Sequence, residues 1–135
     1  MRCQSVGAAG AMLLAVIASA RAQPAPAVDW STAQPVSLLL IDDRFVPDRL
    51  VFRHAVPYRL HVENRGRNLH EFTAPGFLAA SVVRNPAQLA NGGREIVVQP
   101  GTTVDVELMP LNPGSYELIC ADHDWAGMMG DIVVE

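Results

Sequence analysis

The segment near the C-terminal end of the sequence reads Cys120-Ala121-Asp122-His123-Asp124-Trp125-Ala126-Gly127-Met128-Met129-Gly130. It carries a thiol, an imidazole and a thioether on Cys120, His123 and Met128. At most about 10 Å of chain joins Cys120 to His123, so both side chains reach one point only if the chain turns tightly. Gly127 and Gly130 supply backbone freedom for such a turn. The segment therefore predicts a loop whose side chains converge.

These side chains are metal donors whose chemistry favours copper. Sulfur donors suit Cu(I), imidazole suits either oxidation state, and a His₂Cys set with a long axial Met is the geometry of blue-copper sites. One imidazole is missing from the loop. His70, in Asn68-Leu69-His70-Glu71-Phe72, is the best candidate to supply it.

Hydrophobic residues recur at every second position through most of the chain, which is the pattern of half-buried β-strands. The clearest runs are Tyr58-Leu60-Val62, Val104-Val106-Leu108 and Tyr116-Leu118-Cys120. Further strands are predicted at residues 36–41, 50–53, 69–73, 95–98 and 131–134, between turns that contain Pro and Gly. Seven or eight short strands predict an all-β fold, an antiparallel β-sandwich or barrel.

The stretch from Pro75 to Gly93 lacks this alternation. We predict a loop with a short helix there, in which Asn85 caps a turn that Pro86 begins and Asn91-Gly92 ends. Residues 35–135 are predicted to form one domain, preceded by a flexible lead-in at residues 23–34 that is rich in Ala and Pro.

The N-terminus has the pattern of a secretory signal peptide. Arg2 precedes an apolar stretch from Val6 to Ala20, which is shorter than the roughly twenty residues that span a bilayer. Cleavage is expected after Ala22 or after Ala20, so residues 1–22 are predicted to be removed. We therefore expect an exported, periplasmic protein without stable insertion in a membrane.

Removal of the signal peptide would leave Cys120 as the one remaining thiol, because Cys3 lies within the removed part. A lone thiol in an oxidising compartment is liable to oxidation unless something such as a metal occupies it.

The formal net charge of the full chain is −4, and the sequence contains no Lys. Nucleic acid is therefore not an expected partner.

The chain resembles the cupredoxin family, specifically members with a loop of Cys, two residues, His, four residues and Met. The resemblance extends over most of the predicted mature chain. It includes Phe45-x-Pro47, the strand from Pro57 to Asn64, the turn Pro100-Gly101 and the approach Pro113-Gly114-Ser115-Tyr116. It implies a Greek-key sandwich with one type 1 copper ion, His70, Cys120 and His123 as equatorial ligands, and Met128 as axial ligand. The loop spacing favours Met128 over Met129.

One position departs from the family pattern. Plastocyanin-like members usually carry Asn directly after the first His ligand, and this chain has Glu71. We expect the Glu71 carboxylate either to accept backbone N–H bonds from the Cys loop or to place negative charge near the metal, which would lower the reduction potential.

Three other residues have side chains that could carry a functional role: His54, His61 and Trp125. His54 and His61 are expected to be solvated surface residues. Trp125 is expected to pack over the metal or against Phe77 or Pro75; the alternative is an apolar docking patch that it forms with Met129 and Phe77 around His123.

Three functions are compatible with these residues. The first is a copper protein that shuttles single electrons to a partner such as a cytochrome or an oxidase. The second is a carrier that delivers copper to an accepting protein. The third, a nucleophilic enzyme that uses Cys120 and His123, is disfavoured because nothing in the loop would orient the base. We therefore expect a protein that is not an enzyme.

Overall fold

The alternating segments form ten β-strands in the computed structural model, which describes residues 27–135. The strands are β1 (Gln34–Ile41), β2 (Arg44–Val46), β3 (Arg49–Phe52), β4 (Tyr58–Asn64), β5 (His70–Thr73), β6 (Ser81–Val83), β7 (Glu95–Val98), β8 (Thr103–Pro110), β9 (Gly114–Ile119) and β10 (Met129–Val134). The predicted fold class is confirmed. The predicted count of seven or eight was too low, because β2 and β6 are three residues long and too short to show alternation.

The strands form two sheets that pack as a sandwich. The first has the order β2-β1-β4-β8-β6 and the second the order β3-β10-β9-β5-β7. Most neighbours are antiparallel, as predicted, but β1 pairs with β4 and β3 pairs with β10 in parallel. A period of two is the same for both directions, so alternation could not reveal these two pairings.

The core lies between the sheets and contains the inward-facing half of each strand. Strand β4 shows the principle, since Tyr58, Leu60 and Val62 are buried while Arg59 is exposed. Phe52 packs edge-on against Tyr58, with ring centroids 4.9 Å apart. The predicted alternation therefore identifies the buried face of this strand correctly.

The stretch from Pro75 to Gly93 contains the predicted short helix, α1 (Pro75–Ala79), followed by β6 and a 3₁₀ turn at Pro86–Gln88. The predicted cap is wrong, because the Asn85 side chain makes no capping hydrogen bond. It bonds instead to the backbone of β8, accepting from the N–H of Glu107 and donating to the carbonyl of Asp105, both at 3.0 Å.

The part of the lead-in that the structure describes contains a 3₁₀ turn, Trp30–Thr32, which the Asp29 side chain caps at 3.0 Å. Strand β1 begins at Gln34, one residue before the predicted domain boundary. The predicted signal peptide lies outside the described residues. Within residues 27–135, no helix is long and apolar enough to cross a membrane.

Candidate metal centre

The predicted ligands come from two neighbouring strands of the second sheet. His70 is the first residue of β5, and Cys120 directly follows β9. These strands pair antiparallel at Thr73 and Ile119. The pairing brings Cys120 beside His70 although they are 50 positions apart in the chain.

Three donor atoms converge at this point. Sγ of Cys120 lies 3.7 Å from Nδ1 of His70 and 3.4 Å from Nδ1 of His123. One ligand atom from each residue lies within 4.8 Å of the other two, and no other such group is found among residues 27–135. Cys120 and His70 are fully buried, whereas His123 is partly exposed.

Backbone hydrogen bonds close the loop that carries these donors. The N–H of Cys120 donates to the carbonyl of Met128 at 3.0 Å, and the N–H of Met128 donates to the carbonyl of His123 at 3.2 Å. Between them, a 3₁₀ turn at Asp124–Ala126 ends at Gly127, whose φ of 86° favours glycine. The protein's own bonds therefore set the shape of the loop.

The two methionines of the loop have different surroundings. The Met128 side chain is fully buried in the core cluster that also contains Cys120, whereas Met129 begins β10 and is 51% exposed. Of the two thioethers, Met128 is therefore the one that shares the buried core with the thiol.

Glu71 connects β5 to the thiol through both its backbone and its side chain. Its N–H donates to Sγ of Cys120 at 3.4 Å. Its carboxylate oxygen Oε2 accepts hydrogen bonds from the thiol at 3.0 Å and from the backbone N–H of Asp122 at 3.3 Å. The expectation that this carboxylate bonds to the backbone of the Cys loop is therefore confirmed.

The surroundings of the thiol favour its protonated form. Burial, followed by the hydrogen bond to Glu71, raises the pKa of Cys120 from 9.0 to about 12. A nucleophilic cysteine needs an accessible thiol with a lowered pKa. This geometry therefore disfavours the nucleophilic enzyme and leaves a thiol that ionises when a cation replaces its proton.

Sequence reasoning missed Asn64, a fully buried residue at the end of β4. Its side-chain amide donates to the carbonyls of Asn68 and Val98 at 2.8 Å each, and its oxygen accepts from the N–H of Gly66 at 2.8 Å. These bonds hold the loop that leads into His70. The alternation in β4 could have identified it, because Asn64 falls at one of the inward-facing positions of that strand, where a polar residue needs hydrogen-bond partners.

The structure rejects the expected packing of Trp125. Its side chain is 82% exposed, and its indole N–H donates to the carbonyl of Asp122 at 2.9 Å. Phe77 is fully buried, so it belongs neither to a contact with Trp125 nor to a docking patch. Trp125, 82% exposed, and Met129, 51% exposed, are thus large apolar side chains near His123 in the sequence that reach the surface.

The remaining histidines lie on the surface, as expected. Nδ1 of His54 is 2.8 Å from the carbonyl of Glu135, and Nδ1 of His61 is 2.7 Å from the carboxylate of Asp105. Both histidines are exposed or partly exposed, and neither belongs to the group of donors described above.

This set of donors fits a mononuclear copper site of type 1. It offers one thiol and two imidazole nitrogens within 4.8 Å of one another. The loop that carries Cys120 and His123 also contains a buried thioether, that of Met128. Structural zinc sites instead use four Cys or His ligands, and calcium or magnesium sites use oxygen.

Comparison with solved structures gives the same architecture. Auracyanin B matches with 21% identity and a TM-score of 0.59, covering 80% of this chain and 93% of its own. Auracyanin from Roseiflexus castenholzii matches with 13% identity and a TM-score of 0.58, covering 77% of this chain and 98% of its own. Both likenesses concern the fold.

Comparison of the sequence itself identifies the family. No protein with a curated function matches the chain. The sequence model of the family described as "Cupredoxin-like domain" matches residues 8–134. With that match over most of its length, the chain belongs to the cupredoxin-like domain family.

Proposed function

We propose that this protein is a copper electron carrier, in which His70, Cys120 and His123 bind one copper ion and Met128 is its axial ligand. The observation that carries the proposal is the convergence of the three donors within 4.8 Å around a fully buried thiol. Copper would supply a centre that takes up and releases one electron at a time.

The scaffold supports electron transfer because it limits rearrangement. Cys120 is fixed by its backbone bond to Met128, its sulfur accepts the N–H of Glu71, and His70 belongs to a paired strand. A ligand set held in this way presents nearly the same geometry to both oxidation states. The auracyanin from Roseiflexus castenholzii was solved in its dithionite-reduced form.

His123 is the proposed route by which electrons leave. It is the one partly exposed residue of the three, and the exposed side chains of Trp125 and Met129 belong to the same loop. Asp122 and Asp124 flank it with negative charge. We therefore propose that a redox partner such as a cytochrome or an oxidase docks here with an apolar surface bordered by positive charge.

Export to the periplasm belongs to the same proposal and rests on the sequence of residues 1–22. Copper bound at Cys120 would protect the remaining thiol in an oxidising compartment.

Copper delivery to an accepting protein is the second candidate. The observation that favours it is the half-exposed thioether of Met129, directly beside the buried Met128. A soft donor at the surface could receive Cu(I) as it leaves the site. A carrier would give up the ion to a competing chelator, whereas an electron carrier would retain it in both oxidation states.

The central prediction concerns the spectrum and the redox cycle. Addition of Cu(II) to the purified protein should give intense visible absorption from thiolate-to-metal charge transfer, and voltammetry should show a reversible wave with the copper retained. Cys120→Ser should abolish the band and still fold, since the core depends on strand packing. A full band in this variant would exclude Cys120 as ligand, and loss of copper on reduction would favour delivery.

Copper binding should also release protons. Because the pKa of Cys120 is about 12, the thiol is protonated at pH 8, and its ligation should release about one proton per ion. Calorimetry in buffers of different ionisation enthalpy measures this number. If no proton is released, Cys120 is not bound as a thiolate.

The two methionines should respond differently to substitution by Leu. Met128→Leu roughly conserves volume, so the free energy of unfolding should change by less than about 1.5 kcal/mol. The reduction potential should rise, because Cu(II) loses more than Cu(I) when a weak axial donor is removed. Met129→Leu is the matched control and should leave the potential nearly unchanged. The reverse result would make Met129 the ligand.

The negative charge around His123 should affect the choice of redox partner. At low ionic strength, the copper-loaded protein should react faster with a cationic inorganic complex than with an anionic one of equal driving force. Asp122→Asn combined with Asp124→Asn should reduce this preference more than the control pair Asp29→Asn and Asp105→Asn, which removes equal charge outside the loop. Equal effects would argue against electron exit near His123.

A further inference from the structure

The nitrogen of His70 that faces away from the thiol has an unusual environment. Nδ1 faces Sγ of Cys120, so Nε2 points to the opposite side. Nε2 is buried and has no hydrogen-bond partner among residues 27–135. A neutral imidazole that gives Nδ1 to a metal carries its proton on Nε2. A buried N–H of this kind needs an acceptor.

The carboxylate of Asp42 is an acceptor close to this nitrogen. Its Oδ1 lies 3.5 Å from Nε2, just beyond the length of a well-formed hydrogen bond. The same oxygen accepts the backbone N–H of Arg67 at 2.8 Å, so the carboxylate is anchored on one side.

The parallel pairing of β1 with β4 places Asp42 there. Leu40 pairs with Asn64 at the carboxyl ends of the two strands. Asp42 follows β1, and Gly66 and Arg67 follow β4, so all three lie at the same edge of the sheet, beside His70. Nothing in the sequence near His70 indicates this neighbour.

Gly66 leaves the space in which the carboxylate and the imidazole meet. A Cβ atom at position 66 would lie 2.5 Å from Oδ1 of Asp42 and 2.8 Å from Nε2 of His70. Both distances are shorter than van der Waals contact allows. Any larger residue at this position would push the carboxylate and the ring apart.

We propose that Asp42 is a positioning residue for the metal, which accepts the Nε2–H of His70 and thereby fixes the tautomer and orientation of this ligand. The inference rests on the proposed copper function. The Asp42 side chain is 43% exposed and has room to rotate, whereas the His70 ring is fully enclosed. A small rotation of the carboxylate would therefore complete the bond. A carboxylate on the outer nitrogen makes the imidazole a more basic ligand, which stabilises Cu(II) more than Cu(I).

The first test uses the metal-free protein and does not depend on copper. Nitrogen chemical shifts should show that the His70 ring carries its proton on Nε2, and this proton should exchange slowly with water. Asp42→Asn should shift the Nε2–H signal and speed its exchange. Asp43→Asn removes the same charge one residue away and should do neither. A proton on Nδ1 in the wild type, or identical signals in Asp42→Asn and the wild type, would overturn the inference.

The second test uses the copper-loaded protein. Asp42→Asn should weaken Cu(II) binding about tenfold or more, in the range expected for loss of a residue that orients a ligand. If Cu(I) binding is unchanged, a tenfold loss corresponds to a rise of about 59 mV in the reduction potential. Asp43→Asn should shift the potential much less. Equal shifts in both variants would reduce the role of Asp42 to a general charge effect and overturn the inference.

Gly66→Ala provides an independent variant. It keeps the charge of Asp42 but should push the carboxylate away, so the potential and the Nε2–H signal should change in the same direction as in Asp42→Asn. Gly76→Ala is the control, since its Cβ would lie 3.4 Å from its nearest neighbour, the Tyr116 ring. If the wild type binds no copper, the proposed function fails, while the measurements on the metal-free protein still decide the role of Asp42.

Discussion

One backbone hydrogen bond, from the N–H of Cys120 to the carbonyl of Met128, closes the loop that carries three of the four proposed ligands. It lies at the end of the ladder between β9 and β10, next to the pair Ile119 and Met129. The sheet thus fixes both ends of the ligand loop, and the turn between them has little freedom. Strand β9 also pairs with β5 on its other side, and this second pairing positions His70. The metal site is therefore an extension of the strand pairing.

The sequence is most informative where one residue type has one physical role. Inward-facing apolar residues such as Leu60 and Val106 predicted their strands, and the donors Cys120, His123 and Met128 predicted a convergent loop. The second neighbour of His70 could not be predicted, because Asp42 reaches it through the parallel pairing of β1 and β4. Such a contact depends on which strands of distant sequence position pair with each other. The local alternation of apolar residues does not indicate this pairing.

Glu71 acts on the Cys120 sulfur in two opposite ways. With copper bound to this sulfur, the backbone N–H of Glu71, 3.4 Å from Sγ, would withdraw electron density and favour the reduced metal. The carboxylate, which accepts the thiol proton at 3.0 Å, would then place negative charge near the thiolate and favour the oxidised metal. An Asn at this position, as in plastocyanin-like relatives, would keep the backbone bond and lose the charge. The difference between Glu71 and Asn at this position is therefore one of charge.

In the proposed site, the two histidines would divide the tasks of holding the metal and exchanging electrons. His70 is enclosed by the core and by the ends of β1 and β4, so as a ligand it would have little freedom to leave the ion. His123 belongs to a loop and reaches the surface. In the proposed site, an electron would pass through His123 while every ligand stays in place. Release of the ion would instead require His123 and the Met128 segment to move, and the bond from Cys120 to Met128 opposes that movement. The closed loop would therefore suit electron exchange better than release of the metal.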